Sequence, residues 1–150
     1  RDVAPSRGLG DVYKRQIVHH VGNTNADVSA ETIHQWHLAN GWAGIGYHFV
    51  IRKDGSIEQG RPMDTVGAHC YGENDHTVGV NLVGNFEDYV PEDAQVASAK
   101  RLLAALCRNY GFAPSSSTIF GHRDFNATAC PGQNLYDILP DIIRGASSLY

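Results

Sequence analysis

Ile17-Val18-His19-His20-Val21, closed by Gly22-Asn23-Thr24-Asn25, is the stretch from which the architecture can be read outward. A short apolar run bounded by turn formers reads as a buried strand. Ser29 then suits the N-cap of a helix from about Ala30 to Asn40, because its hydroxyl can accept from a first-turn N–H, and Gly41 stops it. The apolar side of that helix is Ile33, Trp36 and His37. Tyr47 to Arg52 alternates as a strand, and Asp54-Gly55 signals a type I′ hairpin returning through Ile57 and Gln59. A Gly/His/Asn-rich loop, Val66 to His76, leads to a strand from Thr77 to Gly84 with Val78, Val80 and Leu82 on one face. A long helix opens near Pro91-Glu92-Asp93, buries Val96, Leu102, Leu103, Leu106 and Tyr110, and ends at Gly111. A last helix covers about Gln133 to Ile143, with Pro140 expected to disturb it. Strands alternating with helices predict an α/β fold, a single-layer central mixed β-sheet flanked by helices.

The chemistry concentrates elsewhere. An apolar strand, Thr118-Ile119-Phe120, runs into Gly121-His122-Arg123-Asp124-Phe125-Asn126-Ala127-Thr128-Ala129-Cys130-Pro131-Gly132. That loop holds an imidazole and a thiol and ends in a Pro-Gly turn. With one more imidazole from the first strand, the donors suit zinc, which takes nitrogen and thiolate ligands tetrahedrally. Three protein ligands leave one corner open, as in catalytic rather than structural zinc sites. His19 and His20 compete for the third place, since strand neighbours face opposite sides. Alternation does not choose between them.

Composition bounds the rest. The chain has 150 residues, 42% of them hydrophobic, enough for one domain with a real core. A formal charge of −4, with Lys and Arg scattered, argues against nucleic acid or an anionic membrane surface as partner. No apolar run reaches the length of a membrane span, so no insertion is expected, and monomer is the default state. Three cysteines, at 70, 107 and 130, do not make a disulfide framework; Cys107 reads as a small buried hydrophobe. Residues 1–16, above all Gly8 to Gln16, resemble a translated sequencing-adapter peptide. They are set aside as a non-native segment, and the working domain is placed at 17–150.

The chain resembles the type-2 N-acetylmuramoyl-L-alanine amidases, which include phage lysozyme-like amidases and animal peptidoglycan recognition proteins. The matching segments are Ile17-Val18-His19-His20, Trp36-His37 with Gly41-Trp42, Gly44-Ile45-Gly46-Tyr47-His48-Phe49 and Gly67-Ala68-His69-Cys70-Tyr71-Gly72-Glu73-Asn74. Val78 to Phe86 and the His122 to Gly132 block complete them, in the family's order. The resemblance implies a mixed sheet flanked by helices, with one zinc ion at the floor of an open groove. It implies His19, His122 and Cys130 as ligands, Tyr47 as the catalytic tyrosine, and Thr128 where relatives carry a Lys or Thr that helps the transition state. Relatives that only bind peptidoglycan often replace the thiol with Ser; this chain keeps it. Asn81 stands where some amidases of the wider group carry a Glu, which leaves the general base open.

The expected reaction is hydrolysis of the amide between N-acetylmuramic acid and L-alanine in peptidoglycan or muropeptides. A zinc ion serves it by lowering a water's pKa from 15.7 to roughly 7 and by drawing charge off the carbonyl. The alternative is a non-catalytic peptidoglycan-binding module. His69, in a Gly-rich loop with Tyr71 and Asn74, has the setting of a polar ligand contact. The resemblance places His37 and His69 near the stem peptide, and Trp42 is either a stacking surface for substrate or a core residue. His34, three residues before His37, raises a helical metal pair as an option. Glu87 and Asp88 raise paired carboxylates, but nothing in the sequence places them in a cleft. An endolysin of a phage or prophage, held in the cytoplasm until released to the wall, fits the reading, as does a secreted enzyme.

Overall fold

The structure, a computed structural model, describes residues 14–150. Five strands form one mixed sheet: β1 (Arg15–His20), β2 (Phe49–Ile51), β3 (Ile57–Gln59), β4 (Thr77–Leu82) and β5 (Ile119–Gly121). Their spatial order is β3-β2-β4-β1-β5, with β4 and β1 innermost. β1 runs parallel to both β4 and β5, β2 runs parallel to β4, and only the β2–β3 pair is antiparallel. All six residues of β4 are buried, as a parallel strand covered on both faces requires.

Three helices cover the sheet: α1 (Ala30–Ala39), α2 (Asp93–Tyr110) and α3 (Gln133–Leu149). α2 and α3 pack on the face carrying Val18, Val78, Val80, Leu82 and Ile119, and Leu103, Leu106, Leu135 and Ile142 fill the space between. The opposite face holds a smaller apolar cluster of Ile33, Ile45, Val50 and Val83, with Ala30 of α1 against it. In the ladder, His19 pairs with Asn81 and Asn81 with Val50, so these three share that second, less covered face.

Several local expectations hold. Ser29 caps α1, its hydroxyl accepting from Thr32 N–H at 3.1 Å. Gly111 ends α2 at φ +81°, and Cys107 is fully buried.

Of the segment set aside as adapter-like, Arg15 and Gln16 lie in β1: Gln16 is fully buried and accepts from Cys107 Sγ–H at 3.1 Å, and Lys14 Nζ donates to Met63 O at 2.9 Å. Residues 1–13 lie outside the described residues. Other expectations are corrected. Tyr47 precedes β2 rather than opening it. The hairpin has a three-residue turn, not the two-residue form. Gly55 N–H donates to Arg52 O at 2.9 Å, Arg52 N–H donates to Ser56 O at 2.8 Å, and Gly55 sits at φ +88°. Asp54 Oδ1 secures it by accepting from Ser56 N–H at 2.9 Å. α3 runs through Pro140 to Leu149, because Leu139, Ile142 and Ala146 are buried against α2 and this packing outweighs one lost backbone bond. Trp36 is 36% exposed, so the apolar anchor of α1 is the buried Ile33 with Ala30 beside the same cluster.

Candidate metal centre

Alternation along β1 separates the two adjacent histidines. His20 lies on the face covered by α2 and α3, where its Nδ1 accepts from Phe86 N–H at 3.0 Å. His19 lies on the other face, 1% exposed. There its ring meets His122 at 4.6 Å between centroids, and Tyr47 and His69 at 5.0 Å each. His122 follows β5 directly and opens a short 3-10 turn, His122–Asp124. The loop then folds back so that Cys130 reaches the same point. Donor atoms of His19, His122 and Cys130 all lie within 4.8 Å of one another, with His19 Nδ1 3.5 Å from Cys130 Sγ.

These distances fit a tetrahedral zinc ion. With Zn–S about 2.3 Å and Zn–N about 2.0–2.1 Å, adjacent N and S ligands lie about 3.5 Å apart. His122 Nε2 is 2.8 Å from Asn126 Oδ1, which leaves its Nδ1 for the centre. The protonation states fit as well. Burial, then the nearby rings of His69, His122 and His20, holds His19 well below the usual histidine range. Burial lowers His122 too, so both rings stay neutral, as metal binding requires. Burial pushes the Cys130 thiol up to about 12, so without a cation it stays protonated. A divalent ion reverses that balance and takes the thiolate.

An open cleft of about 590 Å³ is lined by two of the three donors, His122 and Cys130, together with His20, Gly22, Tyr47 and Thr128. Glu87 and Asp88 also line it, which the sequence did not show. Glu87 is engaged at the start of α3, accepting from Gln133 N–H at 3.2 Å. Tyr47 lines the same cleft. Burial raises its phenol, so it stays a neutral donor across the physiological range; the Asn81 side chain nearby offsets part of the rise. Thr128 is exposed at the rim. Its Oγ1 accepts from Cys130 N–H at 3.2 Å, so it braces the ligand loop while its own O–H remains able to donate.

The proposed substrate contacts divide. His37 is half-buried, its Nδ1 accepting from Gly46 N–H at 2.9 Å and its ring 4.6 Å from that of Trp42. It borders a smaller recess of about 140 Å³ with Asn23, Trp36 and Tyr47. Trp42 is 46% exposed and Tyr71 89%, so neither is core. His69 and Asn74 are not on the cleft wall. His69 is buried beneath His19, over Gly79, where an added Cβ would stand 2.6 Å from its Cγ. Asn74 Oδ1 accepts from His69 N–H and Cys70 N–H at 2.8 and 2.9 Å, which shapes the loop instead. The His34–His37 pair is no metal site either: His34 Nδ1 accepts from Ile45 N–H at 3.0 Å. Asn126 and Thr77 were missed, because polar residues in a loop and at a strand start carry no signal of what they touch.

Acid should loosen the metal-free protein. Burial lowers His20 to about 4 and His69 to about 3. Each binds a proton more readily unfolded, near 6.5, than folded. Their contribution is therefore complete above pH 6.5 and is lost as pH falls towards 4 and then 3. His76 at the surface, raised by Asp75, acts in the opposite sense. In the presence of chelator, Tm should fall steadily from pH 7 to pH 4; a flat profile would contradict this account.

A family model described as N-acetylmuramoyl-L-alanine amidase matches residues 10–133. The endolysin of Klebsiella phage KP32 is 38% identical over 129 residues, covering 80% of this chain and 82% of that one. Peptidoglycan-recognition protein SC2 of Drosophila melanogaster is 31% identical over 145 residues, covering 91% and 78%. Among solved structures, the N-acetylmuramoyl-L-alanine amidase LysC from Clostridium intestinale superposes with a TM-score of 0.74 at 35% identity, covering 86% of this chain and 83% of that one. The chain belongs to the N-acetylmuramoyl-L-alanine amidase family.

Proposed function

We propose that this protein is a zinc-dependent hydrolase of the amide between N-acetylmuramic acid and L-alanine in peptidoglycan, holding one zinc ion through His19, His122 and Cys130. The observation that carries this reading is the convergence of those three donors, two of which line an open cleft. A zinc ion bound there supplies Lewis acidity, which polarises the scissile carbonyl and makes hydroxide available near neutral pH.

The side chains supply the rest. Tyr47 donates its phenolic hydrogen to the oxygen that gains charge as the carbonyl is attacked, and Thr128 adds a second donor from the rim. His37, which borders the recess beside Tyr47, and the exposed Trp42 and Tyr71 serve as contacts for the glycan or stem peptide. Two imidazoles and one thiolate leave a divalent centre with net charge +1, which favours an electron-rich carbonyl. Thr128→Val should lower turnover by up to about 10²-fold with metal content intact. Unchanged turnover at full zinc occupancy would leave Thr128 as a loop brace alone.

The decisive assay incubates the protein with cell-wall fragments, with and without chelator. Cleavage frees an L-alanine amino terminus and a lactyl carboxylate on the glycan, in equal amounts and only while metal is present. A module that only binds would retain fragments and release neither product. Among the described residues no helix is long and apolar enough to cross a membrane, and the phage relatives are endolysins. A monomer released to the wall during lysis is the setting we propose.

A further inference from the structure

Both imidazole ligands bond, through the nitrogen turned away from the metal position, to side chains that the reaction does not use. His19 Nε2 lies 2.9 Å from His69 Nδ1, and His69 Nε2 lies 3.2 Å from Thr77 Oγ1. Thr77 Oγ1 in turn lies 2.6 Å from Glu73 O. A carbonyl oxygen can only accept, so the single hydroxyl hydrogen of Thr77 goes to Glu73. Thr77 Oγ1 must then accept from His69 Nε2–H, which leaves His69 Nδ1 as a lone pair. His19 Nε2 must therefore carry the hydrogen, and His19 Nδ1 presents its lone pair towards Cys130.

The same logic runs through Asn126. Its Nδ2 donates to Tyr71 O at 3.2 Å and to Phe125 O at 3.0 Å, and two acceptors leave no doubt which end of the amide is nitrogen. Oδ1 is thereby turned towards His122 Nε2, 2.8 Å away, and Cys70 Sγ–H also donates to it at 3.4 Å. His122 Nε2 must be protonated, and its Nδ1 is free to bind.

We infer that Thr77 and Asn126 are positioning residues that set the metal-binding tautomers of His19 and His122, each through a chain ending on a main-chain carbonyl of the 71–73 segment. One loop thus decides which ring nitrogen both ligands offer. This rests on the metal reading above and asks a separate question of it. Without the anchors each ring could take either tautomer and rotate, and part of its affinity would be spent on restoring order.

The test is the affinity for zinc ion alone, measured by competition with a chromogenic chelator. Thr77→Val and Asn126→Leu should each weaken binding by roughly 10–100-fold. Thr77→Ser, which keeps both the oxygen acceptor and the hydrogen given to Glu73 O, should restore most of it. A merely structural role would lower the unfolding midpoint of the metal-free variants and leave zinc affinity unchanged, which would overturn the inference. Should Thr77→Val or Asn126→Leu fail to fold, nitrogen-15 imidazole spectra of the metal-free wild type decide: Nε2–H on both ligand rings is expected, and Nδ1–H on either refutes it. Wild-type protein that bound no zinc would remove the metal reading itself, a result distinct from equal binding by all variants.

Discussion

His122→Ala is expected to leave a folded protein that neither retains zinc nor cuts peptidoglycan. The three donors within 4.8 Å are the whole protein contribution to the centre among the described residues. Removing one leaves an imidazole and a thiol whose pKa burial has pushed to about 12. Two ligands cannot offset the cost of ionising that thiol as three can, so affinity should fall by more than the roughly 100-fold typical of losing an outer partner. His122 is only half-buried and follows a three-residue edge strand, so the sheet and the α2–α3 core should survive its truncation. The measurement is zinc content after dialysis, read beside circular dichroism. The stabilisation that added zinc gives the wild type should vanish as well, since a ligand stabilises only the state that binds it. One full equivalent of zinc in the variant would refute the ligand assignment. Cys130→Ser should behave alike for catalysis while muropeptide binding persists, because serine is close in size to cysteine and the other cleft residues are unchanged.

Tyr47→Phe should lower turnover by roughly 10²-fold or more with zinc fully retained, the size of effect seen when one preorganised oxyanion donor is removed. Tyr47 lies on the cleft, its ring 5.0 Å from that of His19. Burial holds its phenol in the neutral, donating form, so no solvent proton need be recruited. Phenylalanine keeps the ring packed against His19 and His37 and removes only the hydroxyl. The loss should fall on kcat, with KM little changed, because the hydrogen bond matters most where charge develops. Near-normal kcat would retire Tyr47 as the donor and shift attention to Thr128.

The order of elements and the caps of α1 and α2 were legible in the residues. Each follows from short-range rules: apolar runs bounded by turn formers, a hydroxyl at an N-cap, a glycine at a left-handed helix end. The choice between His19 and His20 was not legible, because alternation says that they face apart but not which face is covered. The same holds for His69 and Asn74, whose Gly-rich loop suggested ligand contacts. That loop folds under the site, so His69 backs a ligand and Asn74 caps main-chain N–H groups. Pro140 was expected to disturb α3 by a local rule, and the helix runs through it to Leu149, packed on α2.

From the chain alone come the α/β class, His122 and Cys130 as candidate donors with one imidazole of the first strand beside them, and the chemistry such donors suit. These depend on side-chain type and on neighbours a few positions away, which linear order carries. Folding supplied the side of the sheet that stays open, the 3.5 Å approach of groups 111 positions apart, and the carbonyls that set their tautomers. Such contacts arise when β1, β4 and β5 align in parallel, and a parallel pairing has no signature in either strand by itself.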